Sequence, residues 1–275
     1  MTICPICPRK CNLNEGQIGF CRARACINGV VTPINYGKIS SIALDPIEKK
    51  PLLHFYPGSK ILSVGSFGCN LRCPFCQNYQ ISMAGFQDIA CQNISPRQLT
   101  DLALKLAQEP VGNLGVAFTY NEPFIGYEFV RDCCILLKQA GLKTVLVTNG
   151  QINQQPLQNL LPLIDAMNID LKGFTQKYYD YVGGDLNCVK QTITTAYDKC
   201  HVEITTLIVP TKNDSVTEME QEAQWIASLS PEIVLHLSRY FPRYKSQIDV
   251  TPLETLLLLQ QTAKKYLNHV YIGNC

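Results

Sequence analysis

Short runs of β-branched and apolar residues recur along most of the chain, separated by stretches in which apolar residues return every three or four positions. The runs are ILSVGS (61–66), GVAFT (115–119), TVLVT (144–148), AMNID (166–170), EITTLIV (203–209), IVLHL (233–237) and VYI (270–272). Runs of this length predict strands, and the helical period between them predicts helices over 96–109, 124–140, 154–163, 175–200 in two pieces, 216–229 and 252–267. Two helix starts are marked well. Ser95-Pro96-Arg97-Gln98 and Thr251-Pro252-Leu253-Glu254 each offer a capping hydroxyl, proline at the first helical position and a capping-box partner. Strands alternating with helices in this way build βα units on a parallel sheet. Six helical segments for seven strands fit an α/β, partial (βα)6 barrel better than a closed eightfold one.

The pattern fails at the N-terminus. Residues 1–30 are rich in Cys, Gly and Pro with little periodicity, which predicts a small cysteine-rich lobe pinned by metal. Residues 30–60 mix short β-like runs with turns and read as a connecting hairpin and loop. The expected division is therefore 1–60 for the lobe with its connection and 61–275 for the barrel core.

Composition narrows the class. Hydrophobic residues make up 46% and charged residues 17%, enough apolar surface for a large core. Lys and Arg number 24 against 22 Asp and Glu, with no long like-charge run, so the broad electrostatic footprint of a nucleic-acid binder is missing. No stretch approaches the roughly 18 apolar residues of a membrane span. The opening MTICPICPRKC lacks the apolar core of a secretory signal. The expectation is a soluble, cytoplasmic protein. Its 14 cysteines are too dilute for a disulfide scaffold, and in a reducing compartment such thiols point to metal binding or catalysis.

Three of them stand out. Gly68-Cys69-Asn70-Leu71-Arg72-Cys73-Pro74-Phe75-Cys76 follows the first strand of the regular region directly. In parallel α/β proteins, active sites are built at that edge. The spacing C-x3-C-x2-C gives three thiolates from one tight loop. Structural zinc wants four ligands, usually from two C-x2-C pairs. A four-iron cluster held by three cysteines keeps one iron open to a ligand. A zinc knuckle with a fourth ligand from elsewhere is the competing reading of the spacing.

Here the chain resembles the radical S-adenosylmethionine superfamily, whose signature is C-x3-C-x2-C on the loop after the first barrel strand. GCNLRCPFCQN, with Cys69, Cys73 and Cys76, is close to the activating-enzyme branch. The resemblance continues through Phe118-Thr119-Tyr120-Asn121-Glu122-Pro123, Val147-Thr148-Asn149-Gly150, Asn168-Ile169-Asp170-Leu171-Lys172-Gly173 and His236-Leu237-Ser238-Arg239-Tyr240-Phe241-Pro242. With Asp45-Pro46-Ile47-Glu48 and His54-Phe55-Tyr56-Pro57-Gly58 ahead of the cluster loop, it is similar to the AmmeMemoRadiSam-type enzymes, relatives of pyruvate formate-lyase-activating enzyme. The resemblance implies a [4Fe-4S] cluster on Cys69, Cys73 and Cys76. It also implies S-adenosylmethionine as the second cofactor, chelated to the open iron and cleaved reductively to a 5′-deoxyadenosyl radical that takes hydrogen from a substrate.

The residues expected to touch that cofactor are Asn121, Glu122, Thr148, Asn149, Asp170, Lys172 and His236. Glu122 suits its ammonium; Lys172 or His236 suits its carboxylate or ribose. Each has a plainer reading as well. Glu122 ahead of Pro123 favours a helix N-terminus, Asp170 and Lys172 on one strand face make a salt bridge, Asn-Gly is a turn signal, and a lone histidine is often a core residue. The chain departs from characterised activating enzymes in three places. Val147 stands where they carry an acid beside a cation site, Tyr120-Asn121 replaces Gly-Gly, and the Asp-Gly-Pro-Gly-x-Arg segment is missing.

Cys4-x2-Cys7-x3-Cys11-x9-Cys21 offers four more thiolates, with Gly16 and Gly19 to turn the last one back. Four ligands suit structural zinc and suit a second iron–sulfur cluster equally; Cys26 is a spare. The other six cysteines read as core or surface thiols. Function on sequence alone is then radical chemistry on a glycine of a partner enzyme, another protein side chain or a small molecule, with flavodoxin or ferredoxin as reductant. The competitors from other classes are a non-catalytic iron–sulfur electron carrier and a zinc-stabilised binding module.

Overall fold

In the computed structural model, which describes residues 1–275, every apolar run named above becomes a strand of one sheet. An eighth strand precedes them. In chain order they are β1 (Ser41–Pro46), β2 (Lys60–Gly65), β3 (Gly115–Phe118), β4 (Lys143–Thr148), β5 (Ala166–Asp170), β6 (His201–Ile208), β7 (Val234–Arg239) and β8 (Val270–Gly273). Each strand pairs with its neighbour in sequence, parallel throughout except β1 against β2, and the first and last strands do not meet. The result is an open, partial barrel. β3 is buried along its whole length, as a parallel strand covered on both faces must be, and that is why it reads as a continuous apolar run.

The longer helices fall where the period put them, and one further turn of helix, Tyr79–Ser82, follows the cysteine loop. The longer ones are α1 (Pro96–Gln108), α2 (Tyr127–Gln139), α3 (Gln154–Leu160), α4 (Gln176–Val182), α5 (Leu186–Ala196), α6 (Val216–Leu229) and α7 (Leu253–Ala263). Ser95 and Gln98 form the expected capping box on α1. The cap expected from Thr251 is not made. Its hydroxyl instead donates to the Ile208 carbonyl at 2.6 Å and accepts from the Tyr240 amide, tying the ends of β6 and β7 together.

Residues 41–60 do more than connect. β1 extends the sheet, so the sheet draws on residues from either side of position 60. The segment after it folds under the barrel, where Ile47, Leu52 and Phe55 pack against Ile61, Ala117, Val145 and Ala166. This segment fills the end of the barrel at which the strands begin. The N-terminal residues form two short antiparallel pairs, Thr2–Ile3 with Asn12–Leu13 and Arg24–Ile27 with Val30–Pro33. They sit against the cysteine loop that follows β2.

Candidate active site

At the other end, where the strands finish, their tips surround a cavity of about 360 Å³. The loop after β2 supplies Cys69, Cys73 and Cys76 to its wall. Tight backbone packing sets the course of that loop. Gly68 has φ +85°, and a Cβ there would stand 2.4 Å from the Cys21 carbonyl oxygen, so only glycine lets the chain pass. The Arg72 guanidinium then donates to the Cys69 and Leu71 carbonyls at 2.8 Å each, and the Arg72 amide donates to the Val182 carbonyl.

Burial pushes all three thiols up. Cys69 lies well above its ordinary value, with the Glu122 charge adding to the effect, and Cys73 is pushed up to about 12. Cys76 shifts the same way. Thiolates here need a cationic partner, which a metal cluster supplies. Three such thiols on one loop, facing a cavity, fit a cluster with one iron left open to that cavity.

Glu122 is buried beside them. Its carboxylate accepts from the Thr148 hydroxyl at 2.7 Å, the Asn149 amide at 2.8 Å and the Phe124 amide at 2.9 Å. Burial raises its carboxyl to about 7 in spite of these donors. It therefore caps the helical turn at Pro123 and faces the cavity as well. The Asn149 side chain donates to the Asn70 side-chain oxygen at 2.9 Å and to the Cys69 sulfur at 3.5 Å, linking the tip of β4 to the cysteine loop. The Asn121 side chain accepts from the Ser66 amide and donates to the Phe67 and Gly68 carbonyls, so it holds the start of that loop. Asp170 and Lys172 both line the cavity and pair with each other at 2.8 Å. Burial opposes the lysine's charge, but Asp170 and Cys73 outweigh it and hold the ammonium protonated.

His236 is the exception. It does not line the cavity; its Nε2 lies 2.6 Å from the buried Glu203, which also accepts from the Leu53 and His54 amides. The side chain is placed at the floor of the barrel, paired with Glu203. From the same segment the structure brings Arg239, Tyr240, Phe241 and Arg243 to the cavity instead. A second group is absent from the expectations. Tyr120, at φ +71°, donates its hydroxyl to Asp45 at 2.7 Å, and Asp45 pairs with Lys50 at 2.8 Å. Tyr120 lines the cavity, so the 45–50 segment reaches the site through it. Cys4, Cys7, Cys11 and Cys21 are not in this cavity but gather around a separate, smaller hollow in the N-terminal lobe.

Fold and site together define a class: a partial parallel barrel with three thiols on its first loop and an acid at the next strand tip. The Radical SAM superfamily model matches residues 63–226, and the chain belongs to that superfamily. Membership implies a [4Fe-4S] cluster and S-adenosylmethionine, and makes the chain an enzyme. An uncharacterized protein of Methanocaldococcus jannaschii, MJ0808, is 40% identical over 98% of this chain and 80% of its own length. A second protein of that organism, MJ1227, provisionally named a glycyl-radical enzyme activating enzyme, is 24% identical over 79% of this chain and 90% of its own. Among solved structures, Streptococcus suis SuiB superposes with a TM-score of 0.60 at 16% identity, covering 83% of this chain and 52% of that one, a likeness of fold. No helix is long and apolar enough to cross a membrane.

Proposed function

We propose that this chain cleaves S-adenosylmethionine reductively at a cluster on Cys69, Cys73 and Cys76 and takes a hydrogen atom from a substrate held at the strand tips. The observation that carries the reading is the placement of Glu122 and Asn149 beside three thiols on one cavity wall. When bound, the cluster and S-adenosylmethionine supply the radical chemistry. The protein orients and shields. Glu122 meets the ammonium of the cofactor, and that cation turns a carboxyl raised by burial back into a carboxylate. Arg239 and Arg243 line the cavity without an acidic partner and suit an anionic group of the cofactor or the substrate. Asn149 orients the sulfur of Cys69, and Asp170 pairs with Lys172, so that the lysine adds no net charge beside the sulfonium.

The finer reading is an activating enzyme acting on a protein partner, with a low-potential flavodoxin or ferredoxin as electron donor. It is supported by the likeness to MJ1227 and by the mouth of the cavity, where Phe241 and Arg243 are exposed. Aromatic and arginine side chains of this kind are enriched at protein contacts. A small-molecule substrate is the alternative. A plain electron carrier has no use for a cavity of this size beside its cluster. The test is anaerobic reconstitution followed by electron paramagnetic resonance of the reduced protein with and without S-adenosylmethionine. A changed signal and release of 5′-deoxyadenosine are expected. An unchanged signal with no 5′-deoxyadenosine sinks the proposal.

A further inference from the structure

The chain turns sharply where β3 ends. The Thr119 amide makes the last bond to β2, donating to the Val64 carbonyl at 2.8 Å, and the Asn121 amide folds back to the Thr119 carbonyl at 2.9 Å. Tyr120, at the centre of this three-residue turn, has φ +71°. A turn of this kind is rare and strained, and a bulky aromatic residue is a poor occupant of positive φ. Such strain persists only where the surroundings over-determine it.

The surroundings of Tyr120 do so. Its hydroxyl donates to Asp45 at 2.7 Å, and the buried Lys50 ammonium meets the same carboxylate oxygen at 2.8 Å. The Lys50 nitrogen also lies 5.3 Å from the centre of the Tyr120 ring. Although burial alone would raise the Asp45 carboxyl, Lys50 and Tyr120 keep it down at about 2, so the acceptor stays ionised. Gly65 leaves room for the side chain, since a Cβ there would stand 2.9 Å from the Tyr120 Cβ and Cδ2.

The turn grips the cysteine loop at both ends. Before Cys69, the Asn121 side chain accepts from the Ser66 amide at 2.8 Å and donates to the Phe67 and Gly68 carbonyls at 3.2 and 3.1 Å. After Cys76, the Asn78 side chain donates to the Tyr120 carbonyl at 2.8 Å. Both grips depend on the direction in which the backbone leaves Tyr120. A negative φ there would swing the Tyr120 carbonyl and the Asn121 side chain away from that loop.

We propose that Tyr120 is a positioning residue, locked by Asp45 and Lys50 in a strained turn that fixes both ends of the loop carrying Cys69, Cys73 and Cys76. This role presupposes that those cysteines hold the cluster. It makes the segment from Asp45 to Lys50, which lies ahead of β2, part of what keeps the three thiolates in one arrangement.

Two substitutions separate the turn from simple packing. Tyr120→Phe keeps the ring and removes the anchor to Asp45, whereas Tyr120→Gly removes the whole side chain but adopts positive φ without strain. If packing alone matters, phenylalanine should serve and glycine should fail. If the turn matters, the order reverses. The full chain and each variant are reconstituted anaerobically with ferrous iron and sulfide. A variant carrying Cys69→Ala, Cys73→Ala and Cys76→Ala is the blank for iron held elsewhere. Release of iron to a ferrous chelator should be about tenfold faster from Tyr120→Phe and within about twofold of the wild type from Tyr120→Gly. The reduced paramagnetic signal should broaden only in Tyr120→Phe. Release from Tyr120→Phe at the wild-type rate, or from Tyr120→Gly at least as fast as from Tyr120→Phe, overturns the proposal. Because S-adenosylmethionine is left out, a failure of the cleavage reading shows separately, as a wild type that keeps its cluster but ignores the cofactor. A wild type that takes up no more iron than the blank overturns both.

Discussion

Glu122 combines two duties that the sequence presents as rivals. It caps the turn at Pro123 through the Phe124 amide, and it offers the cavity a buried carboxylate tied to the tip of β4. The two are compatible because a carboxylate has lone pairs for several donors at once. Replacing it with glutamine keeps size and cap while removing the charge. Glu122→Gln should weaken S-adenosylmethionine binding roughly ten- to a hundredfold, measured by anaerobic titration, and shift the thermal midpoint by only a few degrees. Gly68 is the opposite kind of residue, needed for what it lacks. Gly68→Ala should cost about 1–3 kcal/mol in stability, since a Cβ meets the Cys21 carbonyl at 2.4 Å and φ is +85°. A chemical denaturation midpoint within error of the wild type would show that the lobe does not press on the loop. The cysteine triplet was legible from its spacing, and Glu122 only through the family resemblance. Asn121 was legible as a site residue, but its role was not. It holds the Ser66–Gly68 backbone with three hydrogen bonds, an arrangement no local pattern announces.

Among the elements, β6, β7 and the loop after β1 are joined by one buried carboxylate. Glu203 accepts from His201 at 2.9 Å, from His236 at 2.6 Å and from the amides of Leu53 and His54. Although burial alone would raise it, these partners hold its carboxyl down at about 2. A carboxyl depressed in the folded state adds stability above its unfolded pKa, and that stability is lost as pH falls toward the folded value. The floor of the barrel should therefore weaken between about pH 5 and pH 2. Glu203→Ala should flatten this acid dependence and cost about 2–4 kcal/mol at pH 7, as four partners lose their acceptor. Urea midpoints across that pH range measure both. The buried Glu222 gives the opposite sign. Burial raises its carboxyl to about 8 against the Thr206 hydroxyl, so it opposes folding increasingly as pH rises from about 4.5 to 8. Glu222→Gln should raise the thermal midpoint at pH 8 and leave it nearly unchanged at pH 4. Periodicity placed these strands and helices to within a few residues. It could not show that residues 47–56 fill the barrel floor, because the contact partners of that loop lie some 60 to 150 residues away.

For the whole molecule, the N-terminal lobe acts as a cover on the catalytic loop. Cys21 and Ala23 pack with Phe67, Ala84 and Ile125, and the Asn153 amide and side chain reach the carbonyls of Ile6, Pro5 and Cys7. Removing residues 1–35 should expose Phe67 and Ile125 to water and leave a chain that melts broadly at lower temperature and loses iron from the central loop. Calorimetry and iron analysis of the truncated protein check both. The amino-acid sequence by itself determined the order of strands and helices, because each strand pairs with its neighbour in the chain. It also determined the three-thiolate loop, because one short segment carries all its ligands. Tertiary structure decided which strand residues reach the cavity. His236 and Ser238 share one face of β7, two residues or roughly 7 Å apart along the strand, yet one reaches the floor and the other lines the cavity. Alternation assigns a side chain to a face, but its height in the barrel depends on register and on what the distant loops bring to each end.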